Sequence, residues 1–343
     1  MRRKGIAVVG AGLIGRRHAG LIARHDHLAA IVDPAPEARA VAEDLDVPWA
    51  DDLPTFFAAG APDGLVIATP NQLHASHAHL AISAGCPILI EKPITDSSVS
   101  GAEVVRAARD NGVPILVGHH RRHNPIIAAV KDAIDGGAIG RIVAVHGQFW
   151  LYKPEEYFVP SWRRRSGAGP IFINLIHDID LLRYLCGEIV RVTAAQSNTA
   201  RGHDVEDSAA VLIEFESGAL GTFSVSDTVS APWSWEFTSG ENPAYPRCDT
   251  SAYAIGGTHG SISVPDLMLW LHPRKRGWWE PMEGRRIEVV SEDPLVRQIQ
   301  HFREVIEGRA SPLVSGEEGL RTLRVIEAIK HSAEERRGVD LIY

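Results

Sequence analysis

Polar residues interrupt an aliphatic run at 172–180, which reads FINLIHDID. If this run is one α-helix, successive residues turn by about 100°, and Asn174, His177 and Asp180 share one side. The opposite side is apolar. It consists of Leu175, Ile179, Leu182 and Cys186. A solvent-facing side would normally carry Lys and Glu. We therefore predict a half-buried pocket wall in which His177 is a general base, a role that suits histidine because its ordinary pKa lies near neutrality.

A glycine-rich turn follows the first apolar run, IAVV at 6–9. GAGLIG places Gly10, Gly12 and Gly15 in the spacing of a dinucleotide-binding turn, between a strand and a helix. Gly10 permits the turn, Gly12 lets a pyrophosphate approach the backbone, and Gly15 lets the helix pack closely. Leu13 and Ile14 complete the predicted cofactor loop.

Asp33 ends the second apolar run, LAAIVD at 28–33, about 20 residues after the glycines. A carboxylate there accepts hydrogen bonds from a ribose 2′-hydroxyl and repels a 2′-phosphate. The sequence therefore predicts NAD as cofactor and disfavours NADP.

Apolar strands continue to alternate with helical patterns until about residue 120, which predicts a doubly wound parallel sheet. Ligands of such sheets bind beyond the carboxyl ends of the strands. The residues predicted to face the cofactor there are Thr69, Pro70, Asn71, His74, Glu91 and Lys92.

The pattern of apolar residues changes after about residue 120. Strand-like runs at 141–150, 189–196, 208–217 and 219–229, with helices near 294–307 and 316–336, predict an α+β domain with an open, mainly antiparallel sheet. We assign residues 1–120 to a Rossmann domain and 121–343 to a domain for substrate binding and oligomerisation. An open sheet has an apolar face to cover, which predicts a homo-oligomer, either dimer or tetramer.

Composition excludes several classes of function. The 343 residues carry a net charge of −8, which argues against a nucleic-acid or membrane-surface role. The three cysteines, Cys86, Cys186 and Cys248, are widely spaced and predict neither a disulfide framework nor a metal site. No apolar stretch is long enough to span a bilayer, and we expect a cytoplasmic protein that acts on a small molecule.

The motifs together resemble the Gfo/Idh/MocA oxidoreductases, the family of glucose–fructose oxidoreductase and inositol dehydrogenase. They are GAGLIG (10–15), TPNQLH (69–74), EKP (91–93), GHHRRHNP (118–125), GAGPIFINLIHDIDLLRYLCG (167–187) and GEEGLRTLRVIEAI (316–329). The resemblance implies NAD(P)-dependent hydride transfer at a carbon that bears a hydroxyl, on a sugar, a cyclitol, a sugar acid or a similar polyol.

The resemblance also implies roles for single residues. Lys92 matches the lysine that bonds the reacting hydroxyl, and His177 matches the catalytic histidine. One position departs from the pattern, because relatives of inositol dehydrogenase carry an aspartate where this chain has Ile173. His177 then relies on Asp180, or its proton leaves by another route.

Basic residues crowd two segments, 118–125 and 161–169. A solvated charge run explains Arg164 and Arg165. The residues predicted to bind substrate are Lys92, His120, Arg121, Trp162, Arg163, Asn174 and His177. This local positive charge favours a carboxylated substrate, since arginine binds carboxylates bidentately. Tryptophans 233, 235, 278 and 279 fit either sugar stacking or a subunit interface.

Two other functions fit the same motifs. A glycosidase that retains NAD would form no net NADH, and a regulator would bind NAD without turnover. Both stay open at the level of the sequence.

Overall fold

The computed structural model describes residues 5–165 and 167–342. Its strands are β1 (Ile6–Val9), β2 (Leu28–Val32), β3 (Trp49–Ala50), β4 (Gly64–Ile67), β5 (Ile88–Ile90), β6 (Ile115–Val117), β7 (Ile142–Trp150), β8 (Ile189–Ser197), β9 (Ser208–Phe215), β10 (Leu220–Ser226), β11 (Tyr253–Gly257), β12 (Gly260–Val264), β13 (Met268–Leu271), β14 (Glu283–Arg286) and β15 (Val339–Asp340).

The α-helices in the same part of the chain are α1 (Leu13–His25), α2 (Pro36–Asp44), α3 (Leu53–Ala58), α4 (Asn71–Ser83), α5 (Ser98–Asp110), α6 (Pro125–Asp135), α7 (Ile176–Cys186), α8 (Trp235–Thr238), α9 (Pro294–Ile306) and α10 (Gly316–Glu335). None of the described helices is both long and apolar enough to cross a membrane.

The chain forms two compact units. One comprises the chain up to His123 together with Glu292–Leu323, and the other comprises Asn124–Ser291 and the chain from Arg324 onward. The segment 292–323 therefore groups with the first unit.

The first unit is built on a six-stranded parallel sheet in the order β3-β2-β1-β4-β5-β6. This confirms the predicted doubly wound fold. β1 and β4 are buried along their whole length, as strands covered on both faces must be. α9 packs on α1, and Arg303 on α9 bonds Asp26 at 2.6 and 2.7 Å.

The second unit is built on a nine-stranded sheet in the order β14-β13-β12-β11-β7-β10-β9-β8-β15. The pair β10 and β7 is parallel, and the other pairs are antiparallel, so the predicted open and mainly antiparallel sheet is confirmed. Apolar residues of α6, α7 and the end of α10 form one core with the inward side chains of the sheet. The alternation on β9 is regular, with Val211 and Ile213 buried and Leu212 exposed.

Candidate active site

The glycine turn has the shape that its spacing predicts. Gly10 has a φ of 90°, and a Cβ on Gly15 would lie 1.8 Å from the carbonyl oxygen of Gly10. A Cβ on Gly12 would meet nothing within 4 Å, and no side chain caps the start of α1. Open space in front of uncapped backbone N–H groups is what a pyrophosphate requires. Leu13 is 95% exposed beside this space.

Asp33 is held at the end of β2 by two backbone bonds. Its carboxylate accepts from the N–H groups of Ala11, at 2.7 Å, and Ala35, at 2.8 Å. The carboxylate is thereby fixed next to the glycine turn, where the ribose of a dinucleotide would bind. The residues that follow are Pro34, Ala35, Pro36 and Glu37, which include no cation for a 2′-phosphate. These features fit NAD.

The loop after β4 is ordered by two histidines. Thr69 shares a hydrogen bond with His77 at 3.2 Å, while Pro70 and Asn71 lead into α4. His74 is fully buried, and its two ring nitrogens lie 2.9 Å from the carbonyl oxygens of Pro93 and Thr69. His74 thus connects this loop to the EKP turn. It has no exposed surface with which to contact a cofactor.

Two opposing effects act on the pKa of His74. Burial lowers the pKa of His74, and the bonds to the two carbonyl oxygens oppose that shift. A neutral imidazole has one N–H and can donate to only one of the two carbonyls.

Glu91 and Lys92 follow β5 in adjacent positions with different exposures. Lys92 is half-buried, whereas Glu91 is buried and lies 2.8 Å from His18 of α1. The backbone N–H of Lys92 donates to the same carboxylate at 3.3 Å. Burial alone would raise the pKa of Glu91, but the bond to His18 and the charges of His18, His120 and Lys92 bring it below its usual value. An anionic Glu91 therefore holds the backbone of the catalytic candidate Lys92.

Most side chains of the basic run after β6 are buried in the first unit. It forms a short 3₁₀ turn, His120–His123, in which Arg121 is 4% exposed and Arg122 pairs with Glu318 at 3.1 Å. His120 is half-buried and is the member of this turn with the most accessible surface.

The His177 segment is not one regular α-helix, as the sequence had led us to expect. Residues Ile171–Leu175 form a π-helical turn, and α7 begins only at Ile176. The α-helical angle between Asn174 and His177 assumed in the sequence analysis therefore does not apply, because a π turn holds more residues. Gly167, Gly169 and Pro170, which precede this turn, give no local signal that distinguishes a π turn from an α turn.

His177 and Asn174 are nevertheless half-buried, as a pocket wall requires. Asp180 is buried, with 1% of its surface exposed. Asp178 accepts a hydrogen bond from the Tyr253 hydroxyl within the core of the second unit.

Lys153 is a functional candidate that the sequence did not indicate. Its side chain is 7% exposed, and its ammonium group donates to Asn174 Oδ1 at 2.7 Å and lies 3.8 Å from Asp227. Asp227 is bonded in turn by Arg201 at 2.9 Å. A lysine that follows a strand-like run usually reaches solvent, so no pattern in the sequence separates Lys153 from a surface residue.

Arg163 is half-buried in a short 3₁₀ turn, Ser161–Arg164. Its guanidinium carbon lies 4.1 Å from the Tyr157 ring centroid and 5.3 Å from that of Trp162, and one of its N–H groups donates to the Tyr157 carbonyl at 2.7 Å. Trp162 itself is 55% exposed. The other tryptophans divide: Trp235 is a core residue, whereas Trp278 and Trp279 are about nine-tenths exposed.

Metal chemistry has no counterpart among the described residues, where no group of three or more His, Cys, Asp or Glu side chains could hold a metal ion. The candidate functional groups are a lysine, a histidine and a dinucleotide-binding turn.

Comparisons with known proteins match two consecutive segments of the chain. Residues 4–119 match the model of an oxidoreductase family with an NAD-binding Rossmann fold, and residues 131–341 match the C-terminal alpha/beta domain of the same family. The chain is 27% identical to a 1,5-anhydro-D-fructose reductase of Ensifer adhaerens, over 81% of this chain and 80% of that protein. It is 26% identical to a scyllo-inositol 2-dehydrogenase (NAD(+)) of Bacillus subtilis, over 98% and 95% of the two chains.

Solved structures extend the similarity to the whole chain. The WlbA dehydrogenase from Bordetella pertussis, in complex with NADH and UDP-GlcNAcA, superposes with a TM-score of 0.80 at 26% identity and covers 100% of both chains. A levoglucosan dehydrogenase in complex with NADH and levoglucosan has the same fold, with a TM-score of 0.80 at 22% identity over 98% and 99% of the two chains. The chain therefore belongs to the Gfo/Idh/MocA oxidoreductase family and is an NAD-dependent enzyme of that family.

Proposed function

We propose that the protein oxidises a secondary alcohol carbon of a sugar, cyclitol, sugar acid or similar cyclic polyol, with NAD as hydride acceptor. The observation that carries the proposal is the braced EKP turn of the NAD-binding unit. Lys92 is half-buried in this turn. Its neighbour Glu91 is hydrogen-bonded to His18, and the Pro93 carbonyl is hydrogen-bonded to His74. A cation held in place at the carboxyl end of β5 is suited to stabilise a developing alkoxide.

The relatives support the substrate class. A levoglucosan dehydrogenase of Pseudarthrobacter phenanthrenivorans is 27% identical over 80% of this chain and 79% of that protein. Its name specifies an anhydrosugar, and the anhydrofructose reductase and the scyllo-inositol dehydrogenase are likewise named for a sugar compound and a cyclitol. The individual compound differs among them, so these relatives support the class of sugars and cyclitols.

The proposed roles follow from the chemistry of the side chains. Bound NAD supplies an acceptor for the hydride. Lys92 donates to the reacting hydroxyl and favours its ionised form, and His177 accepts the hydroxyl proton. Asp180, buried three residues further along α7, is proposed to support the imidazolium of His177. The glycine turn and Asp33 hold the cofactor, with Thr69, Pro70 and Asn71 beside it.

We also propose that the exposed face of the large sheet forms a homo-oligomer contact. Leu212, Leu220 and Val143 are each more than two-fifths exposed on adjacent strands of this face. The cysteines are free, and two of the three are buried, which fits a reducing compartment such as the cytoplasm.

The test is a panel of polyols, cyclitols, aldoses, sugar acids and cis-dihydrodiols, offered with NAD and followed by NADH formation. Turnover of at least one compound, lost in Lys92→Met and in His177→Ala, is the expected result. Tight NAD binding without reduced cofactor from any compound would instead favour a regulator. Release of a sugar from a glycoside without net NADH would favour a glycosidase.

A further inference from the structure

A set of hydrogen-bond donors and cations surrounds the ring of Tyr157 in the second unit. Lys153 Nζ lies 4.9 Å from the ring centroid and the guanidinium carbon of Arg163 lies 4.1 Å from it. Both cations are thus held on one half-buried aromatic side chain, an arrangement that the ring quadrupole stabilises. Lys153 also fixes Asn174, which lies one turn before His177.

The bond from Lys153 decides which end of the Asn174 amide is available. Because an ammonium can only donate, the atom 2.7 Å from it must be the carbonyl oxygen of the amide. The NH₂ end of Asn174 then points elsewhere, and it has no acceptor among residues 5–165 and 167–342. A half-buried amide with its donor end unused by the protein is suited to bind an acceptor atom of a ligand, and not a hydroxyl proton.

Lys153 has a carboxylate near its charge, and Arg163 differs from it in this respect. Lys153 faces Asp227, which lies 3.8 Å away and is also bonded by Arg201. Burial raises the pKa of Asp227, and Lys153 and Arg201 oppose that shift. Arg163, in contrast, has no carboxylate within ion-pair distance in the described part of the chain, and its Nε is buried there without a hydrogen-bond partner. Arg163 therefore leaves a positive charge uncompensated on the same Tyr157 ring that Lys153 contacts.

We infer that Asn174 and Arg163, oriented by Lys153 and Tyr157, form a subsite for a carboxylate on the substrate of the proposed dehydrogenase. The inference deepens the proposed function and rests on it. Carboxylate oxygens accept from both an amide and a guanidinium, and charge-assisted bonds of this type are about twice as strong as neutral ones. Since Asn174 and His177 are only three residues apart in the sequence, one small molecule can place its carboxylate at the first and its reacting hydroxyl at the second. The substrate class is thus a hydroxy acid of the uronate or aldonate type.

The experiment compares matched pairs that differ in the acid group: hexuronates against hexoses, and aldonates against alditols. NADH formation gives kcat/KM, and calorimetry gives the affinity of each compound for the NAD-loaded protein. We expect the acid to exceed its neutral partner by about tenfold or more in at least one pair.

Variants then assign the preference to the subsite. Arg163→Gln and Asn174→Asp should each reduce the acid-to-neutral ratio by about tenfold or more, the second because it replaces a donor with a carboxylate that repels the ligand. Arg164→Gln is the matched control, because Arg164 is an exposed arginine of the same turn. Arg163→Lys keeps the charge and should recover part of the ratio. Circular dichroism confirms that each variant is folded.

The outcomes separate the subsite from the dehydrogenase. Acids that bind in an Arg163-dependent way without forming NADH would refute the dehydrogenase and support the subsite. NADH formed from neutral polyols as readily as from acids would support the dehydrogenase and overturn the subsite. A ratio that changes as much in Arg164→Gln as in Arg163→Gln would overturn it as well.

Discussion

His18 Nε2 lies 2.8 Å from Glu91 Oε1, and this contact connects the dinucleotide helix α1 to the turn that carries Lys92. Both side chains are buried. Breaking a buried pair leaves one partner unmatched, at a cost of about 3–5 kcal/mol. Glu91→Gln should therefore lower the thermal midpoint by many degrees and also reduce kcat, because the backbone of Lys92 loses its carboxylate acceptor.

The matched control for that variant is Glu43→Gln, an exposed glutamate on α2. The pKa of Glu91 lies below its usual value in the folded protein, so its contribution to stability is present at neutral pH and is lost on acidification below about pH 4.5. Thermal midpoints recorded from pH 7 to pH 3.5 should fall less steeply for Glu91→Gln. An unchanged acid dependence would contradict the role of this carboxylate.

His123 predicts a second acid sensitivity, in a different pH window. Burial, followed by the charges of His301, His120 and nearby arginines, lowers the pKa of His123 from 6.5 to about 3. Between these values the unfolded chain binds a proton that the folded protein does not, so stability falls as the pH decreases, by about 1.4 kcal/mol per pH unit. His123→Leu should flatten part of this dependence in chemical denaturation at pH 7, 6 and 5. His79→Leu, at an exposed histidine of α4, should not.

Asp33 should control the choice of cofactor. Asp33→Ala removes the carboxylate that would bind the ribose hydroxyls, and the NAD-to-NADP ratio of kcat/KM is expected to fall about tenfold or more. The hydrogen bonds from the Ala11 and Ala35 backbone N–H groups are lost at the same time, so the thermal midpoint of the variant should be measured together with its kinetics. Asp44→Ala, at an exposed position of α2, provides the control. An unaltered ratio in Asp33→Ala would refute the assignment.

Lys92 and His177 should differ in their response to pH. Lys92→Met is expected to lower kcat by about 10²- to 10⁴-fold at every pH, since no solvent species replaces a fixed ammonium. His177→Ala should lose a similar factor near neutrality but regain part of it at alkaline pH, where hydroxide can accept the proton. Steady-state kinetics from pH 6 to pH 10 distinguish the two. Parallel profiles for both variants would argue against a separate base.

The exposed sheet face should govern assembly. Leu212→Glu places a charge on β9 beside Thr222 of β10 and within the proposed contact. The variant should elute with a lower mass than the wild type in size-exclusion chromatography with light scattering. Val99→Glu on α5 in the first unit, where Val99 is 72% exposed, should leave the mass unchanged. A wild-type protein with the mass of one chain would disprove the proposed oligomer.

Much of the fold could be predicted because its signals are local. The glycine spacing, the fully apolar strands and Asp33 lie within single short segments, and each predicts an element without knowledge of the rest. The short elements between 36 and 58 escaped prediction, as did β11 to β14, because their apolar residues are few and their pairing is set by distant strands.

The site was predictable only in part. His177, Asn174 and Lys92 stand out in sequence because polar residues in apolar surroundings need a reason. Lys153 and His18 do not, since their importance arises from partners 21 and 73 positions away. The buried state of His74, Arg121 and Asp180 likewise depends on packing that no periodicity records.

The π-helical turn at Ile171–Leu175 limits how this chain can be redesigned. Counting back four positions from His177 gives Ile173, yet that count locates a neighbour beneath the imidazole only in a regular α-helix. Ile173→Asp would therefore put a carboxylate at a different angle to His177 from the one that a regular α-helix gives. Conversion toward an inositol-type site would require shortening the turn by one residue as well as changing the side chain.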